Sequence, residues 1–205
     1  LRFPCGGGIH APEHHSESPE TYFVHTPGLK VVCPSTPSDA KGLLASCIQD
    51  DDPCIFMESK RVYRAVKEEV RDERYTIPLG TARGVREGED VTIVAWGSMV
   101  RECVKAAEQL EAGHVSCEVL DLRSLKPLDL NAIVKSVKKT GRCVVVHEAP
   151  KTLGLGAEIV ALINEHALLS LEAPVERVTG FDVSMPLYKL ENAFLPDVNR
   201  IVQCV

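Results

Sequence analysis

The segment VTIVAWGSMVRECVKAAEQLEAGHVSCEVLDL, residues 91–122, decides the fold. Its apolar run Val91–Trp96 predicts a buried strand, Val100–Leu110 has the spacing of an amphipathic helix, and Cys117–Leu122 is a second apolar run. A strand, a helix and another strand in this order are typical of a crossover between parallel strands. The segment therefore predicts an α/β protein.

The same alternation continues toward the carboxyl end of the chain. Asp129 is placed to cap the next helix, which is followed by an apolar strand at Cys143–His147 and a helix at Ala157–Leu169. A last apolar run, Val175–Val178, completes the series. We expect one mainly parallel sheet, flanked by helices, over residues 91–205.

The chain before residue 91 has a different character. Leu29–Cys33 and Cys54–Met57 predict two buried strands, and a helix between them begins after Ser35-Thr36-Pro37. These strands need sheet neighbours, so we expect the carboxy-terminal part to fold more cooperatively by itself than the whole chain does. Dense charge and repeated glycine predict a linker between the two parts. The three parts are residues 1–62, 63–90 and 91–205.

The composition narrows the functional classes. Hydrophobic residues make up 44% of the chain and charged residues 25%, with a net charge of -6, so we expect an ordinary globular core and no nucleic-acid partner. No apolar run reaches the roughly 20 residues of a membrane span, so we also expect no membrane partner. The 8 cysteines lack metal-binding spacing and predict reduced thiols in an intracellular compartment.

A histidine pair lies in the polar loop His14-His15-Ser16-Glu17-Ser18-Pro19. An imidazole titrates near neutrality, so His15 can donate or accept a proton during turnover, and its neighbours can set its tautomer. From the residues alone, a loop histidine that only bonds its neighbours is the better interpretation. His147-Glu148 ends a strand, where α/β proteins place ligand sites, but a hydrogen-bonded pair at a domain or subunit interface is favoured.

The turn Cys47-Ile48-Gln49-Asp50-Asp51-Asp52-Pro53 follows the predicted helix. Carbonyl groups that are freed at a helix end, with acids nearby, suit a hard monovalent cation. A solvated acidic turn is the simpler alternative, and the residues alone favour it.

Five further motifs can be compared with known families: His15-Ser16-Glu17-Ser18-Pro19, Asp121-Leu122-Arg123, Lys139-Thr140-Gly141-Arg142, His147-Glu148-Ala149-Pro150 and Gly154-Leu155-Gly156-Ala157-Glu158. Together they resemble the β subunits of the thiamine diphosphate-dependent 2-oxo acid dehydrogenases, the E1 component. The resemblance implies that residues 1–62 are the carboxy-terminal part of a pyrimidine-binding domain and that residues 91–205 are a transketolase carboxy-terminal-type domain. The amino-terminal part, with the glutamate that activates the cofactor, would precede residue 1, so we expect this chain alone to be inactive.

The resemblance also implies site residues and cofactors. His15 would serve acyl transfer to the lipoyl arm of E2, and Glu17 stands where the family usually has glutamine. The backbone at Cys47 and Asp50 and the side chain of Asp52 would bind a structural potassium ion. Thiamine diphosphate would be shared with the α subunit, which also holds the magnesium, so no cofactor-binding residue is expected in this fragment.

The implied assembly is an α2β2 heterotetramer with an E1 α subunit, a second β subunit and the E2 acyltransferase core as partners. Phe56-Met57-Glu58-Ser59-Lys60-Arg61-Val62-Tyr63-Arg64 resembles the branched-chain form, which predicts oxidative decarboxylation of 2-oxoisovalerate-type acids and reductive acylation of lipoyl-E2. The alternatives are a pyruvate or acetoin dehydrogenase, or a non-catalytic module for E2 docking or oligomerisation. The expected compartment is the mitochondrial matrix in a eukaryote and the cytoplasm in a bacterium.

Overall fold

A computed structural model describes residues 1–205, apart from the side chain of Glu13. The strands of this described chain are β1 (Arg2–Cys5), β2 (Lys30–Val32), β3 (Cys54–Ser59), β4 (Arg83–Arg86), β5 (Val91–Ala95), β6 (Cys117–Asp121), β7 (Ser124–Lys126), β8 (Cys143–Pro150) and β9 (Glu176–Gly180). The α-helices are α1 (Glu20–His25), α2 (Pro37–Gln49), α3 (Met99–Glu111), α4 (Leu130–Thr140), α5 (Leu155–Ala167), α6 (Glu191–Phe194) and α7 (Val198–Cys204).

The strands form two sheets. The first has the order β1-β3-β2-β7, in which β1, β3 and β2 are parallel and β7 runs antiparallel to β2. The second has the order β4-β6-β5-β8-β9, and its only antiparallel pair joins the edge strand β4 to β6. The predicted α/β fold with a mainly parallel sheet flanked by helices is confirmed.

The helix ends follow the signals in the sequence. The side chain of Thr36 accepts a hydrogen bond from the backbone N–H of Asp39 at 3.2 Å, and Pro37 is the first residue of α2. Asp129 caps α4 in the same way, by accepting from the N–H of Ala132 at 3.0 Å. Gly141, with φ of 69°, ends α4 in the left-handed conformation that glycine adopts at low cost.

One hydrophobic cluster spans the two sheets, beside clusters that belong to one sheet each. We call residues 1–62 the first domain and residues 91–205 the second domain. Val31 and Met57 of the first domain belong to the same cluster of buried side chains as Val94 and Leu155 of the second domain. Strand β7 comes after the predicted linker in the sequence, and yet it pairs with β2 of the first sheet. The expectation that residues 91–205 fold more cooperatively alone does not agree with this shared core, because separation would expose apolar surface.

Part of the segment that was predicted to be a linker is a strand. Residues 83–86 form β4, which pairs with β6 at the edge of the second sheet.

The helices that the structure describes reach 13 residues, and none of them is long and apolar enough to cross a bilayer.

Candidate active site between the two sheets

The glycine loop that follows β1 is held by carboxylates from the second domain. The N–H of Gly7 donates to Oε2 of Glu148 at 2.9 Å. The N–H groups of Gly8 and His10 donate to the two carboxylate oxygens of Glu191, at 2.6 Å and 2.7 Å. Both carboxylates are buried. The second domain therefore sets the path of the loop that leads to the histidine pair.

Glycine is required in this loop by space and by backbone conformation. Gly6 has φ of +78°, and a Cβ atom there would lie 2.9 Å from Oε2 of Glu148. A Cβ atom on Gly7 would lie 2.2 Å from the terminal methyl of Met185. The triple glycine thus lets the loop approach the second domain closely.

His15 lies at the end of a short 3-10 turn, residues 13–15, with its side chain exposed. Its N–H donates to the carbonyl of Pro12 at 2.9 Å, and the buried hydroxyl of Ser16 donates to the carbonyl of Ala11 at 3.2 Å. These bonds fix the backbone on both sides of the imidazole. The carboxylate of Glu17 lies 3.8 Å from Nδ1 of His14, so it faces the other histidine of the pair.

A cavity of about 480 Å³ lies between this loop and the segments that follow β8 and β9. Ser16, Glu17 and Glu148 line one part of it, and Asp182 and Phe194 line another. The described residues that line it include three carboxylates and no Lys, Arg or His. This lining does not fit the diphosphate of thiamine diphosphate, which requires cationic or N–H donors.

A buried carboxyl group lies where the two sheets meet. Glu20 is 1% exposed and accepts a hydrogen bond from Nε1 of Trp96 at 3.3 Å. Burial raises the pKa of Glu20 from 4.5 to about 8, so this side chain holds a proton inside the protein at neutral pH.

Glu148 is the second carboxyl group of this buried junction. Burial raises its pKa as well, and the hydroxyl of Ser98 and the N–H of Gly7 donate to it. A cavity of about 20 Å³, large enough for one water molecule, is lined by Glu20, Glu148 and Ser59, whose buried hydroxyl has no hydrogen-bond partner. Glu148 and Ser18 line both this cavity and the larger one.

The interpretation of His147-Glu148 as a hydrogen-bonded interface pair holds for Glu148, which bonds Gly7 of the first domain, but neither ring nitrogen of His147 has a hydrogen-bond partner. His147 is fully buried, and its ring stacks on Trp96 with centroids 5.2 Å apart and planes 13° from parallel. Burial lowers the pKa of His147 from 6.5 to about 4, so the ring is neutral under physiological conditions. His147 therefore acts as packing beneath Trp96, while Glu148 makes the hydrogen bonds across the interface.

In the turn that was predicted to bind potassium, the ammonium group of Lys30 contacts the carboxylates. Nζ of Lys30 lies 2.7 Å from both carboxylate oxygens of Asp50 and 3.1 Å from Oδ2 of Asp52. The pKa of Asp50 is lowered, chiefly by its hydrogen bond with Lys30. Cys47 is half-buried at the end of α2, and burial raises the pKa of its thiol to about 12. The carboxylate of Asp52 fits a potassium ion only if Lys30 moves, and potassium binding here stays a prediction.

The structure does not bring the two predicted sites together. The loop with His15 follows the carboxyl end of β1. The turn with Asp50 and Asp52 precedes the parallel strand β3, so it lies at the opposite end of the strands of the first sheet.

The sequence patterns did not identify Glu20 and Glu191 as functional residues. Their only signal is a carboxyl group at the start of a short helix, which is ordinary for exposed acids.

Comparisons with known proteins agree with this architecture. The family "Transketolase, pyrimidine binding domain" matches residues 1–66, and the family "Transketolase, C-terminal domain" matches residues 80–201. The chain is 52% identical over 201 residues to the pyruvate dehydrogenase E1 component subunit beta of Acholeplasma laidlawii. It is 49% identical over 203 residues to the proteins of the same name from Staphylococcus aureus and Bacillus subtilis. These alignments cover 98–99% of this chain and 62% of each relative.

A solved structure shows the same fold at lower identity. It is described as a split gene transketolase, inactive beta4 tetramer, and it superposes with a TM-score of 0.80 at 24% identity, over 99% of this chain and 63% of that one. The two family matches, the fold and the shared core between the sheets lead to one assignment. The chain belongs to the transketolase C-terminal domain family and carries in front of it a segment of the transketolase pyrimidine-binding domain.

Proposed function

We propose that the chain is the carboxy-terminal part of the β subunit of a thiamine diphosphate-dependent 2-oxo acid dehydrogenase, the E1 component. The observation that carries this proposal is the 52% identity over 98% of the chain to a pyruvate dehydrogenase E1 component subunit beta. The geometry supports it, since a loop with an exposed histidine borders a cavity at the junction of the two domains.

The substrate that we propose is pyruvate. The motif at residues 56–64 favoured a branched-chain 2-oxo acid, but the relatives at 52% and 49% identity are named pyruvate dehydrogenases, which supports the pyruvate alternative better. The motif keeps 2-oxoisovalerate as the second candidate, because Glu58, Lys60 and Tyr63-Arg64 match the branched-chain pattern.

In this proposal the residues of this chain position a proton donor. Glu148 and Glu191 hold the glycine loop, Ser16 fixes the next turn, and His15 projects its imidazole outward. His15 would protonate the thiolate that leaves when the dithiolane of the lipoyl arm is opened. The acidic cavity does not suit a diphosphate, so the cofactor's diphosphate and its magnesium would be held by the α subunit.

The proposed partners are an E1 α subunit in an α2β2 heterotetramer, a second β subunit and the E2 acyltransferase core. The segment after β9 supports subunit contacts, because Phe181, Val183, Leu187, Tyr188 and Leu190 are large apolar residues that it exposes. The same exposed residues also support the second candidate, a non-catalytic module that only docks E2 or holds an oligomer together. The compartment, cytoplasm or mitochondrial matrix, remains a prediction.

The test is to express the full-length β subunit, combine it with its α subunit and thiamine diphosphate, and measure reduction of an artificial electron acceptor with each 2-oxo acid. We expect kcat/KM for pyruvate to exceed that for 2-oxoisovalerate. The opposite order would restore the branched-chain assignment. An assembly that forms but decarboxylates neither acid would favour the docking module.

A further inference from the structure

A second cavity lies between the domains, in a different place from the one beside His15. Its volume is about 120 Å³, which is roughly the space of four water molecules. The first domain and the segment after it contribute Ser35, Arg61 and Val66, and the start of α3 contributes Arg101 and Lys105. A ligand in this cavity would therefore contact both domains at once.

The described lining of this cavity is strongly cationic. It has three basic side chains, those of Arg61, Arg101 and Lys105, and one carboxylate, that of Glu102. Glu102 is buried and lies 3.3 Å from Nη2 of Arg61 and 3.1 Å from Nζ of Lys105. Three cations against one carboxylate leave about two positive charges for which the lining supplies no counter-charge.

Glu102 also organises these basic groups. Arg61 comes from the 3-10 turn Lys60–Val62 and Lys105 from the second turn of α3, and both point their charged ends at the same carboxylate oxygen. Arg101, one position before Glu102, is an exposed residue that also lines the cavity. The cavity lies at the first turn of α3, where the positive end of the helix dipole adds to the field.

We propose that this cavity binds a phosphate dianion, either free or as the terminal group of a small phosphorylated metabolite. A phosphate monoester carries a charge of about −1.5 to −2 at neutral pH, which matches the surplus charge of the lining. The volume admits one phosphate group and little more, so any attached organic part lies toward solvent. Because Arg61 and Arg101 belong to different domains, binding would stabilise the arrangement of the two domains.

The test uses the full-length subunit that contains this chain, titrated with inorganic phosphate by calorimetry at constant ionic strength. A parallel titration uses glycerol 3-phosphate. We expect Arg101→Gln and Lys105→Gln each to weaken binding by about tenfold, the scale of losing one charge-assisted hydrogen bond. Lys138→Gln is the matched control, since Lys138 is an exposed lysine on α4 that does not line the cavity.

The two titrations distinguish the sources of the phosphate. Tighter binding of the ester identifies a metabolite as the ligand, and equal or tighter binding of the inorganic ion identifies free phosphate. Retained affinity in both Arg101→Gln and Lys105→Gln would overturn the proposal, as would heats no larger than those of sodium chloride at the same ionic strength. Circular dichroism of each variant verifies that the loss of binding is not a loss of fold.

Discussion

Glu20 behaves differently from an ordinary exposed acid. It is an acid within a hydrophobic junction, it keeps its proton near neutral pH, and it is bonded to the single tryptophan of the chain, Trp96. In the folded state its pKa is about 8, against 4.5 as the ordinary value. Its contribution to stability is therefore fully present below about pH 4.5 and is lost as the pH rises through about 8.

This shift can be read from the fluorescence of Trp96. We expect an emission change centred near pH 8, since ionisation of Glu20 places a charge beside the indole N–H. The change should vanish in Glu20→Gln and persist in Glu148→Gln. Titration of His147, which stacks on Trp96, falls near pH 4 and is separate. A transition near pH 8 that survives in Glu20→Gln would show that another group is responsible.

His15 allows a prediction about the two half-reactions of the proposed enzyme. In reconstituted α2β2 protein, His15→Ala should lower reductive acylation of the lipoyl domain by a factor of roughly 10²–10⁴, the scale of losing a general acid. Decarboxylation with an artificial acceptor should fall much less, because that route bypasses the dithiolane. His14→Ala, which removes the imidazole next to Glu17, is the control with a milder effect. Equal losses in both half-reactions would remove the proton-donor role from His15.

At the scale of elements, an ion-pair network joins α2 to the second domain. Asp39 is buried in the first turn of α2, and its carboxylate bonds Nη1 of Arg123 at 2.9 Å and Nη2 of Arg83 at 3.2 Å. Arg83 also reaches the buried Asp121, whose pKa burial raises to about 6. A single carboxylate thus ties a helix of the first domain to two arginines from the other side of the interface.

Replacement of this carboxylate should destabilise the whole chain. We expect Asp39→Asn to lower the free energy of unfolding by about 3 kcal/mol, at the low end for a broken buried pair because Arg83 is partly exposed. Asp51→Asn, at an exposed acid beyond the end of α2, should change it by less than about 0.5 kcal/mol. Denaturant unfolding of both variants provides the measurement. Equal stability of the two would show that the network contributes nothing net.

The acidic turn after α2 can be neutralised by Lys30 or by a potassium ion, and the two should compete. Lys30 already lies between Asp50 and Asp52, so we expect potassium to raise the melting temperature more in Lys30→Gln than in the natural sequence. An equal concentration of choline is the control for ionic strength. Asp52→Ala should flatten the potassium response, and a response unchanged by that substitution would remove Asp52 from the predicted ligands.

At the scale of the whole molecule, the two domains are not independent. The hydrophobic cluster that contains Val31, Ile55 and Met57 also contains Val94 and Leu155, and β7 crosses from the second domain into the first sheet. The carboxylates of Glu148 and Glu191 then add hydrogen bonds across the same interface. The chain is thus expected to unfold as one cooperative unit.

Cooperative unfolding of the two domains can be tested by producing residues 91–205 without the first domain. A chain of residues 91–205 should be less soluble than residues 1–205, bind more of a dye for exposed apolar surface, and melt at a lower temperature with a broader transition. The reason is that Leu122 and Leu125, fully buried in the whole chain, lose apolar neighbours from the first sheet. A sharp melting transition at an unchanged temperature for residues 91–205 would contradict the shared core.

The sequence by itself determined the class of fold and the approximate positions of its longer elements. The alternation of apolar runs with amphipathic stretches predicted β5, α3, β6, α4, β8, α5 and β9, while Ser35-Thr36-Pro37 and Asp129 marked the starts of two helices. These signals are local, since burial periodicity and capping act within one or two turns of the chain.

Only the tertiary structure decided the features that depend on distant partners. The edge strand Arg2–Cys5 has only four residues, too few for its alternation to identify a strand, and it is a strand because β3 pairs with it. The same holds for Ser124–Lys126, a strand of three residues that belongs to the first sheet because it pairs with β2. The motif around His15 was legible in the sequence, but the burial of Glu20 and the hydrogen bonds of Glu148 and Glu191 to the glycine loop were not. Contacts across 141 and 183 residues leave no periodic trace along the chain, because they arise only when the two sheets pack together.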